Sequence, residues 1–168
     1  MIKNILITSA GRRVSLVKNF QNTLKKFNPD GKVYTTDMNP ILSSACQVSN
    51  GYLKVPRVTD KEYLNILKEY CINNEISIVI PTIDTELHIL SYVKEDFLKD
   101  GIFLAISSSE FCETFYLKDS TEKFFVKNNV NFNNLNSKEF YFYHSNAKKM
   151  NEYQSNITLK VPATLIWQ

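Results

Sequence analysis

Short apolar runs alternate with segments of helical period along this chain, and that alternation limits the folds open to it. Ile5-Leu6-Ile7 is an apolar run with β-branched residues, bounded by Thr8-Ser9-Ala10-Gly11. Such a run suits a strand covered on both faces, as in parallel sheets. After Gly11 the period changes: Val17, Phe20, Leu24 and Phe27 fall on one face of a helix, which Asn28-Pro29-Asp30-Gly31 ends. Val33 to Thr36 and Tyr52 to Val55 read as further strands, with a short helix over Ser43 to Val48 between them. Thr59 and Glu62 have the spacing of a capping box for a helix that buries Tyr63, Ile66, Leu67 and Tyr70. Ile76-Ser77-Ile78-Val79-Ile80 is the clearest strand. One helix carrying Leu87, Leu90, Val93 and Phe97 follows, closed by Gly101. Ile102 to Ile106 reads as a fifth strand, Ser107-Ser108-Ser109-Glu110 as a second capping box, and Lys118 to Lys127 as a last helix.

Strands joined by helical crossovers of this length imply right-handed βαβ units. The expected fold is α/β: a Rossmann-like, doubly wound, mostly parallel five-stranded sheet with helices on both faces. It covers residues 1–130. Residues 131–168 are rich in asparagine and aromatics without a clear period, and form an irregular C-terminal extension. Ile157 to Val161 and Thr164 to Trp167 are candidate strands there, and two strands alone do not make a stable domain.

Composition narrows the function. The 168 residues suit one domain with an appendage. Twenty basic and 17 acidic residues leave a net charge of +3, too balanced for the clustered basic face of a nucleic-acid binder. Cys46, Cys71 and Cys112 form no paired motif, and His88 and His144 lack metal-ligand spacing. No apolar run reaches the roughly 20 residues of a membrane helix. The expectation is a cytoplasmic protein with no nucleic-acid or membrane partner, no metal ligands of its own and a small-molecule substrate.

In open parallel sheets, ligands bind beyond the carboxyl ends of the strands. Three loops lie there. In Thr8-Ser9-Ala10-Gly11-Arg12-Arg13, Gly11 permits a tight turn, the helix start offers free N–H groups, and Arg12 and Arg13 add positive charge. Asp37-Met38-Asn39-Pro40 is the second; the plain alternative is a turn, since Asp and Asn cap helices and Pro opens them. The third, Pro81 to Glu86, gathers Thr82, Asp84 and Glu86 to orient a substrate amine or hydroxyl, or simply to start a helix. A dinucleotide fingerprint needs G-x-G-x-x-G, and only Gly11 is present, so a nicotinamide or nucleotide-sugar enzyme is disfavoured. Neither histidine lies in these loops, so no nucleophile–base set is formed and no catalytic residue is assigned.

Four blocks together resemble a known family: Ile5-Leu6-Ile7-Thr8-Ser9-Ala10-Gly11-Arg12-Arg13, Thr36-Asp37-Met38-Asn39-Pro40, Val55-Pro56-Arg57-Val58-Thr59-Asp60, and Ile80-Pro81-Thr82-Ile83-Asp84-Thr85-Glu86-Leu87. They look like the N-terminal, pre-ATP-grasp domain of ATP-grasp ligases, in the group similar to carbamoyl-phosphate synthase large subunits. The resemblance covers roughly residues 1 to 110. It implies a domain that forms the substrate site and one wall of a nucleotide cleft, in enzymes that activate a carboxylate with ATP and Mg2+. It carries substrate or anion binding to Ser9, Gly11, Arg12, Arg13, Asp37, Asn39, Thr82, Asp84 and Glu86, and ATP contact to Lys118. Tyr116 and Leu117 stand where that family has Asn and Asp before the lysine.

The rest of an ATP-grasp enzyme is a lysine-bearing strand, a glycine-rich flap and magnesium ligands. Here Leu159-Lys160-Val161-Pro162 is a faint echo of the strand, and no glycine follows Gly101. A flap that approaches triphosphate through its backbone needs glycine. The expectation is therefore a chain catalytically incomplete alone, which does not bind ATP or Mg2+ tightly. Its partner would be a separate catalytic chain or a second copy. The other reading is a non-catalytic binding or interaction module.

Overall fold

The computed structural model describes residues 2–128. Residues up to Leu117 form one compact unit, and a second begins at Lys118. The first unit holds β1 (Asn4–Thr8), α1 (Val14–Phe27), β2 (Val33–Asp37), a short 3-10 turn (Pro40–Leu42), α2 (Ser44–Val48), β3 (Gly51–Lys54), α3 (Tyr63–Asn73), β4 (Ile76–Pro81), α4 (Asp84–Tyr92), α5 (Lys94–Lys99), β5 (Phe103–Leu104) and α6 (Ser109–Tyr116). In the second unit, α7 spans Lys118–Lys127. The candidate strands at 157–161 and 164–167 lie outside the described residues.

All five strands are parallel, in the order β3-β2-β1-β4-β5. The chain starts at the centre, winds outward to β3, then crosses back to β4. The β1/β4 junction is therefore the switch point, where the loops after the two strands diverge.

Side chains alternate across the strands as a period of two requires. On one face Ile5 and Ile7 pack with Val17, Leu24, Val33 and Ala45, beneath α1 and α2. On the other, Leu6 and Val79 pack with Tyr63, Leu67, Cys71, Leu90, Phe97 and Leu104 beneath α3, α4 and α5. Burying each such aliphatic side chain contributes about 1.5–3 kcal/mol relative to leaving it in water. Burial also pushes the Cys71 thiol up to about 12, so it stays protonated in this core.

Several local expectations are corrected. Phe27, the last residue of α1, is exposed, and only Val17 and Leu24 of that helix's apolar face are fully buried. The Thr59 capping box does not form. The chain instead turns on Asp60, whose side chain accepts the Glu62 N–H (2.9 Å) and whose carbonyl accepts the Tyr63 N–H (3.1 Å). At α6 the cap is Ser108, which accepts the Phe111 N–H at 3.3 Å. The expected single helix from Leu87 to Phe97 is two. It breaks at Val93, whose carbonyl takes the N–H groups of both Asp96 and Phe97, and α5 restarts with Glu95 and Asp96 favourably in its first turn. The fifth strand is only Phe103–Leu104, because the Ile106 N–H folds back onto the Leu104 carbonyl. Among the described residues, no helix is long and apolar enough to cross a membrane.

Candidate functional site

The loop from Ser9 to Arg13 leaves the central strand at the switch point, and nearly every backbone group in it is fastened. Ser9 and Gly11 both have left-handed backbone, with φ +48° and +53°. The Ser9 N–H donates to Thr36 Oγ1 (3.2 Å) and the Ala10 N–H to the Thr36 carbonyl (3.0 Å). The Gly11 N–H donates to Asp37 Oδ2 (3.2 Å), and its carbonyl accepts from Ser43 Oγ (2.8 Å) and the Ala45 N–H (3.0 Å). Asp37 is thus a tie rather than a free acid: its other oxygen takes the Asn39 N–H at 2.8 Å. The Asn39 side chain is exposed.

The loop after β4 is bound to the same place. Thr82 Oγ1 donates to the carbonyls of Thr8 (2.8 Å) and Ser9 (2.9 Å). The Arg13 guanidinium bridges the Ser9 carbonyl (3.2 Å) and the Thr82 carbonyl (3.0 Å). Arg13 therefore clamps the two loops, with part of its fork already engaged.

Glu86 is fully buried, although it was expected to face a substrate. The first turn of α4 directs it down into the sheet. There it accepts from Thr8 Oγ1 (2.5 Å), Ser9 Oγ (2.6 Å) and Tyr63 Oη (2.7 Å). A carboxylate without water is costly unless its oxygens are satisfied, and three hydroxyls satisfy them here. Burial, the Glu86 charge and the bond to it push the Tyr63 phenol above its ordinary range, so Tyr63 remains a donor. Sequence reasoning read Tyr63 only as an apolar helix residue and gave Thr8 no role. A tyrosine on a core-facing helix position still needs a partner for its hydroxyl, and that is the signal that could have found it.

What stays open to solvent is small and defined. Arg12 is exposed. The helical ladder of α1 begins with the Val17 N–H on the Arg13 carbonyl, so the N–H groups of Ser15 and Leu16 have no acceptor among the described residues. Asp84 is exposed; its Oδ1 accepts the Thr85 N–H (2.9 Å) and its second oxygen has no donor among the described residues. Beside Asp84 a groove of about 390 Å³ runs between α4 and α6, lined by Leu87, Phe103, Ile106, Phe111 and Phe115. A polar hollow of about 330 Å³ lies at the opposite rim, beside Lys3, Asn4 and Glu75. The switch-point rule favours the carboxyl rim. Lys118 opens α7 in the second unit.

Comparison with known proteins agrees with this architecture. Residues 5–105 match the model of the PylC-like, N-terminal domain. Glycinamide-RNase-transformylase T from Mycobacterium tuberculosis is similar in structure (TM-score 0.54, 6% identity), over 76% of this chain and 35% of that one. So is the biotin carboxylase domain of a single-chain bacterial carboxylase (TM-score 0.53, 11% identity), over 91% of this chain and 34% of that one. At these identities the likeness is one of fold. This chain spans about a third of the length of each. No curated protein matches it. With the matched residues taking in β1 to β5, the chain belongs to the PylC-like N-terminal domain family and has the pre-ATP-grasp fold.

Proposed function

We propose that this chain is the substrate-binding wall of an ATP-grasp ligase similar to carbamoyl-phosphate synthase large subunits. In such a ligase ATP phosphorylates a carboxylate, an amine attacks the acyl phosphate, and phosphate leaves. The observation that carries this reading is the rigid Ser9–Arg13 loop at the switch point, topped by the free N–H groups of Ser15 and Leu16 and the exposed Arg12. Donors at a helix start beside a guanidinium suit a carboxylate or phosphate. Asp84, with one oxygen free across the same rim, is placed to orient an amine or hydroxyl.

The fit to the implied ATP and Mg2+ is partial. Arg12 and the start of α1 suit a phosphate oxygen. Asp37 already spends both carboxylate oxygens on backbone N–H groups, which leaves it poorly suited to a metal. The phosphoryl chemistry then belongs to a catalytic lobe outside the described residues, on this chain or another. Ile41 and Leu42, 77% and 81% exposed beside the rim, favour the second reading, an interaction module that docks a partner there.

An NMR titration with inorganic phosphate tests the anion reading. We expect millimolar binding, worth about 4 kcal/mol, that shifts the amides of Arg12, Ser15 and Leu16 and weakens at least about fivefold in Arg12→Ala. Unmoved amides, or equal binding by the variant, would refute it. Titration with Mg-ATP should give no tight complex, and a magnesium-dependent submicromolar Kd would show that the nucleotide site is complete in this chain.

A further inference from the structure

We infer that Glu86 is a positioning residue whose buried carboxylate holds Ser9 in the left-handed conformation and so fixes the loop that presents the anion donors. This rests on the reading of that loop given above.

Two left-handed residues shape the loop, and only one is glycine. Gly11 takes φ +53° without steric cost, whereas Ser9 at +48° carries a side chain in a region that L residues resist. Something else must hold it. The Ser9 hydroxyl donates to Glu86 Oε1 at 2.6 Å, and the same oxygen accepts from Tyr63 Oη at 2.7 Å. The second oxygen is fixed by Thr8 Oγ1 at 2.5 Å. Thr8 and Tyr63 are themselves fully buried, so the carboxylate is anchored from the sheet and from α3 before it reaches Ser9. Ser9 is then gripped at its N–H by Thr36, at its carbonyl by Thr82 and Arg13, and at its side chain by Glu86.

The hydroxyl thus supplies to Ser9 the left-handed turn that glycine would adopt freely. It follows that Glu86 should matter to the loop only while residue 9 carries a hydroxyl. A residue that merely stabilises the core would matter equally with serine or glycine at that position.

Amide hydrogen exchange on the full chain separates these cases. In Glu86→Gln, the hydrogen-bonded amides of Ala10, Gly11 and Arg13 should exchange about tenfold faster, while Val79 and Ile80 in β4 stay within about twofold. Ser9→Ala should loosen the same loop amides by a similar factor. Ser9→Gly should change them less than about threefold, and adding Glu86→Gln to Ser9→Gly should add less than about twofold. A uniform rise that includes β4, or an equal Glu86→Gln effect with serine and glycine, would overturn the inference. If Glu86→Gln does not fold, the Ser9→Ala and Ser9→Gly pair decides: equal exchange in the two refutes it. A wild-type chain that ignores phosphate sinks the anion reading alone, since the exchange pattern does not depend on a ligand.

Discussion

Two residues other than glycine adopt left-handed backbone in the described chain, one at each end of the sheet, and they are held in opposite ways. Ser9 (φ +48°) sits at the carboxyl rim over a fully buried carboxylate. Glu75 (φ +49°) sits at the amino rim just past the end of α3, where a left-handed residue commonly closes a helix. The Glu75 N–H returns to the Ile72 carbonyl at 3.1 Å, and its side chain pairs with Lys3 in solvent. Nearby, Asn4 joins the Asn74 carbonyl (2.8 Å) to the Lys32 N–H (2.9 Å). The backbone conformation is the same. At one end it is fastened from inside the molecule through residues distant in sequence, at the other by a local helix end and a solvated ion pair. A conformation that only ends a helix needs no interior polar group, whereas one that must keep a loop rigid at a candidate binding rim has one.

The contrast can be broken most severely at Glu86. Glu86→Ala leaves three hydroxyls without their acceptor and opens a cavity, and should cost about 3 kcal/mol or more, read as a fall in the urea midpoint. Glu75→Gly should do the reverse at the other rim and stabilise the chain by about 0.5–1 kcal/mol, a rise of a few degrees in Tm, since glycine suits a left-handed helix end. A loss there would mean that the Lys3 pair outweighs backbone strain. The smallest effect should come from Lys3→Met. Both partners are more than half exposed, so the change should stay within about 0.5 kcal/mol and shrink in high salt.

Much of this protein is legible along the sequence. Apolar runs at 5–7 and 76–80 become the central strands, and the Val17/Leu24 spacing becomes the buried face of α1. The loops beyond the strands contain Gly11, Asp37 and Thr82, and the structure brings all three to one rim. The work each residue does there was not legible. Arg13, read as a group for a ligand, donates instead to the carbonyls of Ser9 and Thr82, and Asp37, for which a turn was the plain alternative, accepts the Gly11 N–H. The break at Val93 was hidden as well, because an apolar period of three to four residues continues across it and only the backbone turns.

Period and turn chemistry are local, so the sequence by itself determined the alternation of strands and helices, and with it the parallel sheet and the rim of loops that forms the candidate site. Tertiary structure alone decided that Glu86 lies inside. A carboxylate in the first turn of a helix is ordinarily solvated, and its burial here depends on hydroxyls at positions 8, 9 and 63 arriving together. Sequence spacing cannot reveal that meeting, because the cost of burying a charge is set by the groups that surround it in space.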